Sequence, residues 1–188
     1  MGNYSEAGQG LKKMFIAQIG IIVCSVLMII PIINIIAMIG SIVFMVISIV
    51  GLNQAGKEIE GCKTAFILTI VNLIVSIVGA FFKTGILYTL FSVATSVLSL
   101  LVAYYVCTSV AAVMNQIGAA DVAAKGITVW KFNLVCYIIL IVASVLALIP
   151  IINIIAGIVA IITSIVAIVA EILYMIFLNK SYHALGVQ

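Results

Sequence analysis

The chain has 188 residues, 66% of them hydrophobic and 7% charged, with a mean hydropathy of +1.49 and a formal net charge of +3. A water-facing globular domain carries about 25% charged residues, so these charges are too few to cover a soluble surface and lipid must solvate most of the chain. All the basic residues are lysines, spread over several loops, which excludes the clustered basic footprint of a nucleic-acid binder and leaves a mild attraction to anionic lipid headgroups.

The opening MGNYSEAGQGLKK is not a secretory leader, because the apolar run behind it continues far beyond a leader's length and shows no cleavage site. Gly2 is followed by Asn3, Tyr4, Ser5 and Glu6, which misses the myristoylation pattern. A spanning helix needs about 20 apolar residues. The first run, 14–52, is long enough for two, and Pro31 and Asn34 break it near the middle. Proline interrupts the helical hydrogen-bond ladder and asparagine tolerates a turn. The run therefore reads as helix one over 14–30, a tight turn, and helix two over 34–52.

The polar segment 53–63 leads to helix three over 64–82, a turn at Lys83-Thr84-Gly85, and a long helix four over 86–114. A second polar segment, 115–131, precedes helix five over 132–149. Pro150 and Asn153 repeat the earlier turn, helix six runs over about 153–178, and the tail is short and polar. The fold class is all-α: a polytopic membrane protein of about six transmembrane helices.

An internal repeat underlies this order. Residues 25–37 read SVLMIIPIINIIA and residues 144–156 read SVLALIPIINIIA, differing only at Met28/Ala147 and Ile29/Leu148. A fainter match aligns GLKKMFIAQI (10–19) with GCKTAFILTI (61–70). Helices two, four and six end in Leu52-Asn53-Gln54, Met114-Asn115-Gln116 and Leu178-Asn179-Lys180. These matches predict three tandem hairpins, about 12–54, 63–116 and 131–180, within one transmembrane domain over 12–180, flanked by short ends at 1–11 and 181–188.

With three hairpins, Lys12, Lys13, Lys57, Lys63, Lys125, Lys131 and Lys180 share one side and only Lys83 lies opposite. The positive-inside rule then places both termini in the cytoplasm, with Trp130 in the interfacial belt. Heavy Ile and Lys use without Arg suggests an AT-rich bacterial genome and hence a bacterial plasma membrane.

The candidate functional residues are few. Glu171 is the one carboxylate inside an apolar run, and an ionisable group there is a functional hypothesis by default. It lies about 27 Å along the helix from Asn153, near the inner edge of a core about 30 Å thick, so the expected environment is interfacial, with a lysine or water as partner. A buried proton or cation relay is the alternative. Ser92, Thr95, Ser96 and Ser99 form a hydroxyl face on helix four, and Asn72, Ser76, Gly79 and Ala80 form a small, polar face on helix three. Such faces usually serve close helix packing, and a narrow polar path is the functional alternative. Asn34 and Asn153 read as turn formers.

Helices four and six are overlong, at about 40 Å each against the same core, so their apolar ends must pack together or against a second subunit. Cys24, Cys62, Cys107 and Cys136 make no CxxC, and His183 stands alone in the tail, so no metal site, disulfide framework or cofactor is expected. No nucleophile, base and orienter converge, so no enzyme is expected. The leading functional reading is a non-enzymatic bundle acting by self-association or by binding a partner membrane protein. A small-solute channel or carrier is the second reading, and a membrane-shaping hairpin protein the third.

Overall fold

The computed structural model describes residues 4–28, 30–82, 85–146 and 153–187. Among them are six helices and no strand: α1 (Ser5–Leu27), α2 (Asn34–Ala55), α3 (Glu60–Gly79), α4 (Gly85–Gln116), α5 (Ala120–Leu146) and α6 (Asn153–Ala184). Five of these, α1 to α5, are long and apolar enough to cross a membrane. Each helix packs on its neighbours in sequence, and α1 also packs on α6, so the six close into a ring. The α1–α2 contact is the most extensive and α2–α3 the thinnest between sequence neighbours.

Pro31 lies in the turn between α1 and α2, as its missing donor requires. Asn34 opens α2, and its Nδ2 donates to the Met28 carbonyl at 3.2 Å, satisfying an acceptor at the end of α1. Asn153 opens α6. Pro150, Lys83 and Thr84 lie outside the described residues.

Three stretches expected as loops or tails are helical. Helix α1 begins at Ser5 rather than at residue 14, and Ala7, Leu11, Met14 and Ala17 are buried along it. That three- and four-residue spacing is one buried helical face, which the polar residues between had masked. Helix α5 begins at Ala120, so most of segment 115–131 is helix; Val122, Ala123, Gly126 and Val129 are buried there. Helix α6 continues to Ala184, and Ser181 and Tyr182 of the expected tail are buried, with Tyr182 against Phe15 of α1.

The core sits at one end of the ring, the end that carries Lys12, Lys13, Lys57, Lys63, Lys125, Lys131 and Lys180. Leu11, Leu52, Cys62, Val106, Val110, Met114, Phe177 and Leu178 are its centre. The apolar ends of α4 and α6 are therefore partly covered within the chain itself, with Tyr104, Ile172 and Ile176 left exposed. Gly126 of α5 fits between them: a β-carbon there would stand 2.7 Å from the Phe177 ring and 3.1 Å from the Cys107 carbonyl. The far half of the ring is more open, and most large side chains of α2 and α5 there face outward.

Backbone closeness explains the α1–α2 contact. A β-carbon on Gly10 would stand 2.5 Å from both Gly51 O and Ala55 N, and one on Gly51 would stand 2.6 Å from Gly10 O. Small residues let helix backbones approach in this way. Gly10→Leu is expected to lower stability by about 1–3 kcal/mol, the usual cost of overpacking, measurable as a lower Tm in detergent.

Polar bonds fasten the same end. The Ala7 amide, an unsatisfied donor in the first turn of α1, donates to Glu58 Oε2 at 2.7 Å from the α2–α3 turn. Lys57 beside it pairs with Glu6 at 2.7 Å, and Lys13 Nζ donates to Gln54 Oε1 at 2.7 Å. Glu58→Ala removes this cap and is expected to cost about 1 kcal/mol, read from the same melting curve.

Candidate polar chamber

Just beyond the core, toward the open half, the helices of the ring line a partly open chamber of about 230 Å³. Every helix places a polar side chain on its wall: Gln18 from α1, Ser48 from α2, Thr69 and Asn72 from α3, Ser99 from α4, Asn133 and Tyr137 from α5, and Glu171 and Tyr174 from α6. The floor on the core side is apolar, formed by Met14 and Leu52. A liquid water occupies about 30 Å³, so the space suits a few waters or one small solute.

The hydrogen bonds give this wall a direction. Asn72 Nδ2 donates to Ser99 Oγ at 3.0 Å, Asn133 Nδ2 donates to the Val129 carbonyl at 3.0 Å, and Thr69 Oγ1 donates to the Ala65 carbonyl at 2.8 Å. Gln18 Nε2 donates to Glu171 Oε2. Each of these amide nitrogens thus gives one of its two N–H donors to the protein. Asn72 Oδ1 is buried and accepts nothing from the protein. A buried polar atom without a partner costs free energy unless something else supplies the missing bond. None of the lining residues is basic, so Glu171 has a neutral amide as its partner and no cation on the wall.

The residues singled out in the sequence separate into two places. Asn72, Ser99 and Glu171 meet in the chamber, from α3, α4 and α6. Glu171 is not at a lysine; its partner is the Gln18 side chain across the α1–α6 contact. Ser76, Ser92 and Thr95 instead line a second hollow of about 430 Å³ between α3 and α4 in the open half, beside the stacked rings of Phe82 and Phe91. Ser96 lines neither space, and its hydroxyl donates to the Ser92 carbonyl at 2.8 Å. The helix-four hydroxyl stripe is therefore divided by depth along one helix pair.

Gln18, Ser48, Thr69, Asn133 and Tyr137 were not foreseen. Gln18 and Asn133 carried a usable signal, since each is an amide near the lysine-bearing end of an otherwise apolar run, as Asn72 is. Tyr174 of α6 also faces the chamber. Tyr104 does keep aromatic company at the lysine-bearing end, edge-on to Trp130 at 4.9 Å. Among the described residues no three His, Cys, Asp or Glu side chains gather, and the four cysteines are buried free thiols.

Comparison of the chain with protein-family models, with curated proteins and with solved structures finds no match.

Proposed function

We propose that this chain is a non-enzymatic, multi-pass membrane protein that binds a small polar solute in the chamber and passes it through the helix ring. The observation that carries the reading is the convergence of polar side chains from all six helices on one space between them, with a carboxylate among them. Close packing alone does not call for a wall of this kind, because packing faces pair small residues two helices at a time. The association reading draws on the small and hydroxyl faces of α3 and α4 and on the overlong apolar ends of α4 and α6. Those ends are covered within the chain in part only: Val106, Val110, Met114, Phe177 and Leu178 are buried, while Tyr104, Ile172 and Ile176 stay exposed.

In this reading all six helices span a plasma membrane as three tandem hairpins, with both termini and the lysine-bearing end in the cytoplasm. Two regularities support the repeat. Leu52, Met114 and Leu178 hold the same position in the three endings, and all three are buried in the core. Gly10, Gly61 and Gly126, near the starts of the odd helices, each meet the even helix of their own hairpin: Gly51 and Ala55, Ser109, and Phe177.

The test is flux. Liposomes carrying the protein are expected to take up at least one probe among rubidium, ammonium, urea and glycerol faster than protein-free liposomes. Asn72→Leu, which lays apolar surface over the chamber wall, is expected to slow that uptake. Uptake at the protein-free rate for every probe would overturn the proposal.

One observation favours association as a second role. The α3–α4 hollow presents the exposed Ser76 and the hydroxyls of Ser92 and Thr95 beside Gly79 and Ala80, a surface suited to receiving another helix. Crosslinking of Ser76→Cys to a second copy in membranes would support it; a protein that remains monomeric in mild detergent and yields no crosslink would remove it.

A further inference from the structure

Resting on the solute-site reading above, we infer that the chamber takes a monovalent cation, an alkali ion or ammonium, and that this cation exchanges with a proton on Glu171.

The charge of the wall points to this class. Glu171 is the only carboxylate on it, and no lysine, arginine or histidine stands there to balance it. A carboxylate among apolar helices is costly to ionise alone, so the site holds one positive charge: either a proton on the carboxyl or a cation beside the carboxylate. An anion is disfavoured, because the wall already carries a carboxylate and no basic side chain lines it. A divalent ion calls for more carboxylates than this wall offers, since Ca²⁺ and Mg²⁺ sites draw on several charged or water oxygens in larger coordination sets.

The neutral groups favour the same class. Asn72 and Asn133 turn their amide nitrogens to Ser99 and to the Val129 carbonyl, and neither side-chain oxygen accepts a hydrogen bond in those pairs, so each has a carbonyl oxygen to offer a ligand. The Asn72 oxygen is the buried acceptor that lacks a partner. Oxygen acceptors around one carboxylate suit a hard monovalent ion or the N–H groups of ammonium. Either alternative supplies the positive charge that the wall lacks, and a bound cation would also give Asn72 Oδ1 a partner.

The exchange balances in one step: the cation enters, the Glu171 carboxyl releases one proton to water, and the charge of the site is unchanged. The other titratable groups on the wall are Tyr137 from α5 and Tyr174 from the same helix as Glu171, and Cys107 of α4 and Cys62 of α3, buried in the core, interact electrostatically with this group. The α1 and α2 residues on the wall, Gln18 and Ser48 among them, do not titrate. Phenols and thiols ordinarily hold their protons at neutral pH, so the released proton comes from the carboxyl.

The experiment uses the purified full chain in mild detergent and weakly buffered solution with a pH-sensitive dye. Sodium, potassium, rubidium and ammonium chlorides are added in turn, with N-methylglucamine chloride as the control for ionic strength. The expected result is release approaching one proton per chain by at least one small cation and none by the control. The response should be absent in Glu171→Gln and unchanged in Asp121→Asn, a substitution at an exposed carboxylate. Asn72→Leu should weaken the apparent affinity about tenfold, the effect of one hydrogen bond to a charged group. Should Glu171→Gln fail to fold, the wild-type titration decides alone. No proton release by any cation overturns the exchange. If urea or glycerol still crosses liposomes in that case, the solute reading stands and only the cation assignment falls. Proton release without flux of any probe supports the cation site and overturns transport.

Discussion

Rubidium uptake into liposomes falls about a hundredfold or more when Glu171 is replaced by Gln. The magnitude follows from the burial of the charge, since removing one partner of a buried charge pair costs about 3–5 kcal/mol. Gln keeps the shape and a hydrogen bond to Gln18, but it replaces the wall's carboxylate with a fourth neutral amide beside Gln18, Asn72 and Asn133. Asp121→Asn is the matched control, because Asp121 is exposed and its approach to Lys125, at 4.0 Å, is a surface ion pair. Tracer uptake normalised to reconstituted protein checks both. Equal uptake by wild type and Glu171→Gln would remove the carboxylate from the mechanism.

The largest stability effect is expected at Phe177. Its side chain is fully buried at the lysine-bearing end, where α4, α5 and α6 meet, and its ring stands where a β-carbon of Gly126 would otherwise fit. Phe177→Ala opens a cavity that the surrounding helices cannot fill by small shifts, because their backbones are already close at Gly126 and Cys107. The expected loss is about 3–5 kcal/mol. Ile35→Ala, at a side chain 72% exposed, is expected to change stability by less than about 0.5 kcal/mol. Thermal unfolding in detergent separates the two. A Phe177→Ala protein as stable as wild type would mean that the core does not lie at that end.

The elements most legible in the sequence were those set by composition. Pro31 and Asn34 punctuate an apolar run, and the chain reverses there because proline and asparagine act locally. Helix ends were less legible. The stretches at 5–13, 120–131 and 179–184 mix polar and apolar residues, and their helicity comes from one buried face, as with Ala7 and Leu11, Val122 and Gly126, or Ser181 and Tyr182. A reading keyed to unbroken apolar length cannot see such faces, because their hydrophobicity lies in the period and not in the mean.

The chamber was half legible for a related reason. Asn72, Ser99 and Glu171 stood out as polar groups in apolar runs, but which of them meet depends on closing the ring between α1 and α6. Glu171 was expected beside a lysine or water, a partner judged from its position along its own helix. The structure sets it against Gln18 of a helix at the other end of the chain, a contact that no local pattern encodes. The hydroxyl stripe on α4 is one continuous face in sequence, yet Ser99 lines the chamber while Ser92 and Thr95 line the α3–α4 hollow.

Accessibility of the chamber to water is the most direct measurement. Cys24, Cys62, Cys107 and Cys136 are buried, so the wild-type protein in membranes should react little with a small, positively charged thiol reagent. Ser99→Cys places a thiol on the chamber wall, and Val142→Cys places one on the outer surface of α5. The expected result is rapid modification of Ser99→Cys, slowed by rubidium, with Val142→Cys as inert as wild type. A Ser99→Cys protein that stays unmodified while Val142→Cys reacts would contradict a wet, polar chamber inside the ring.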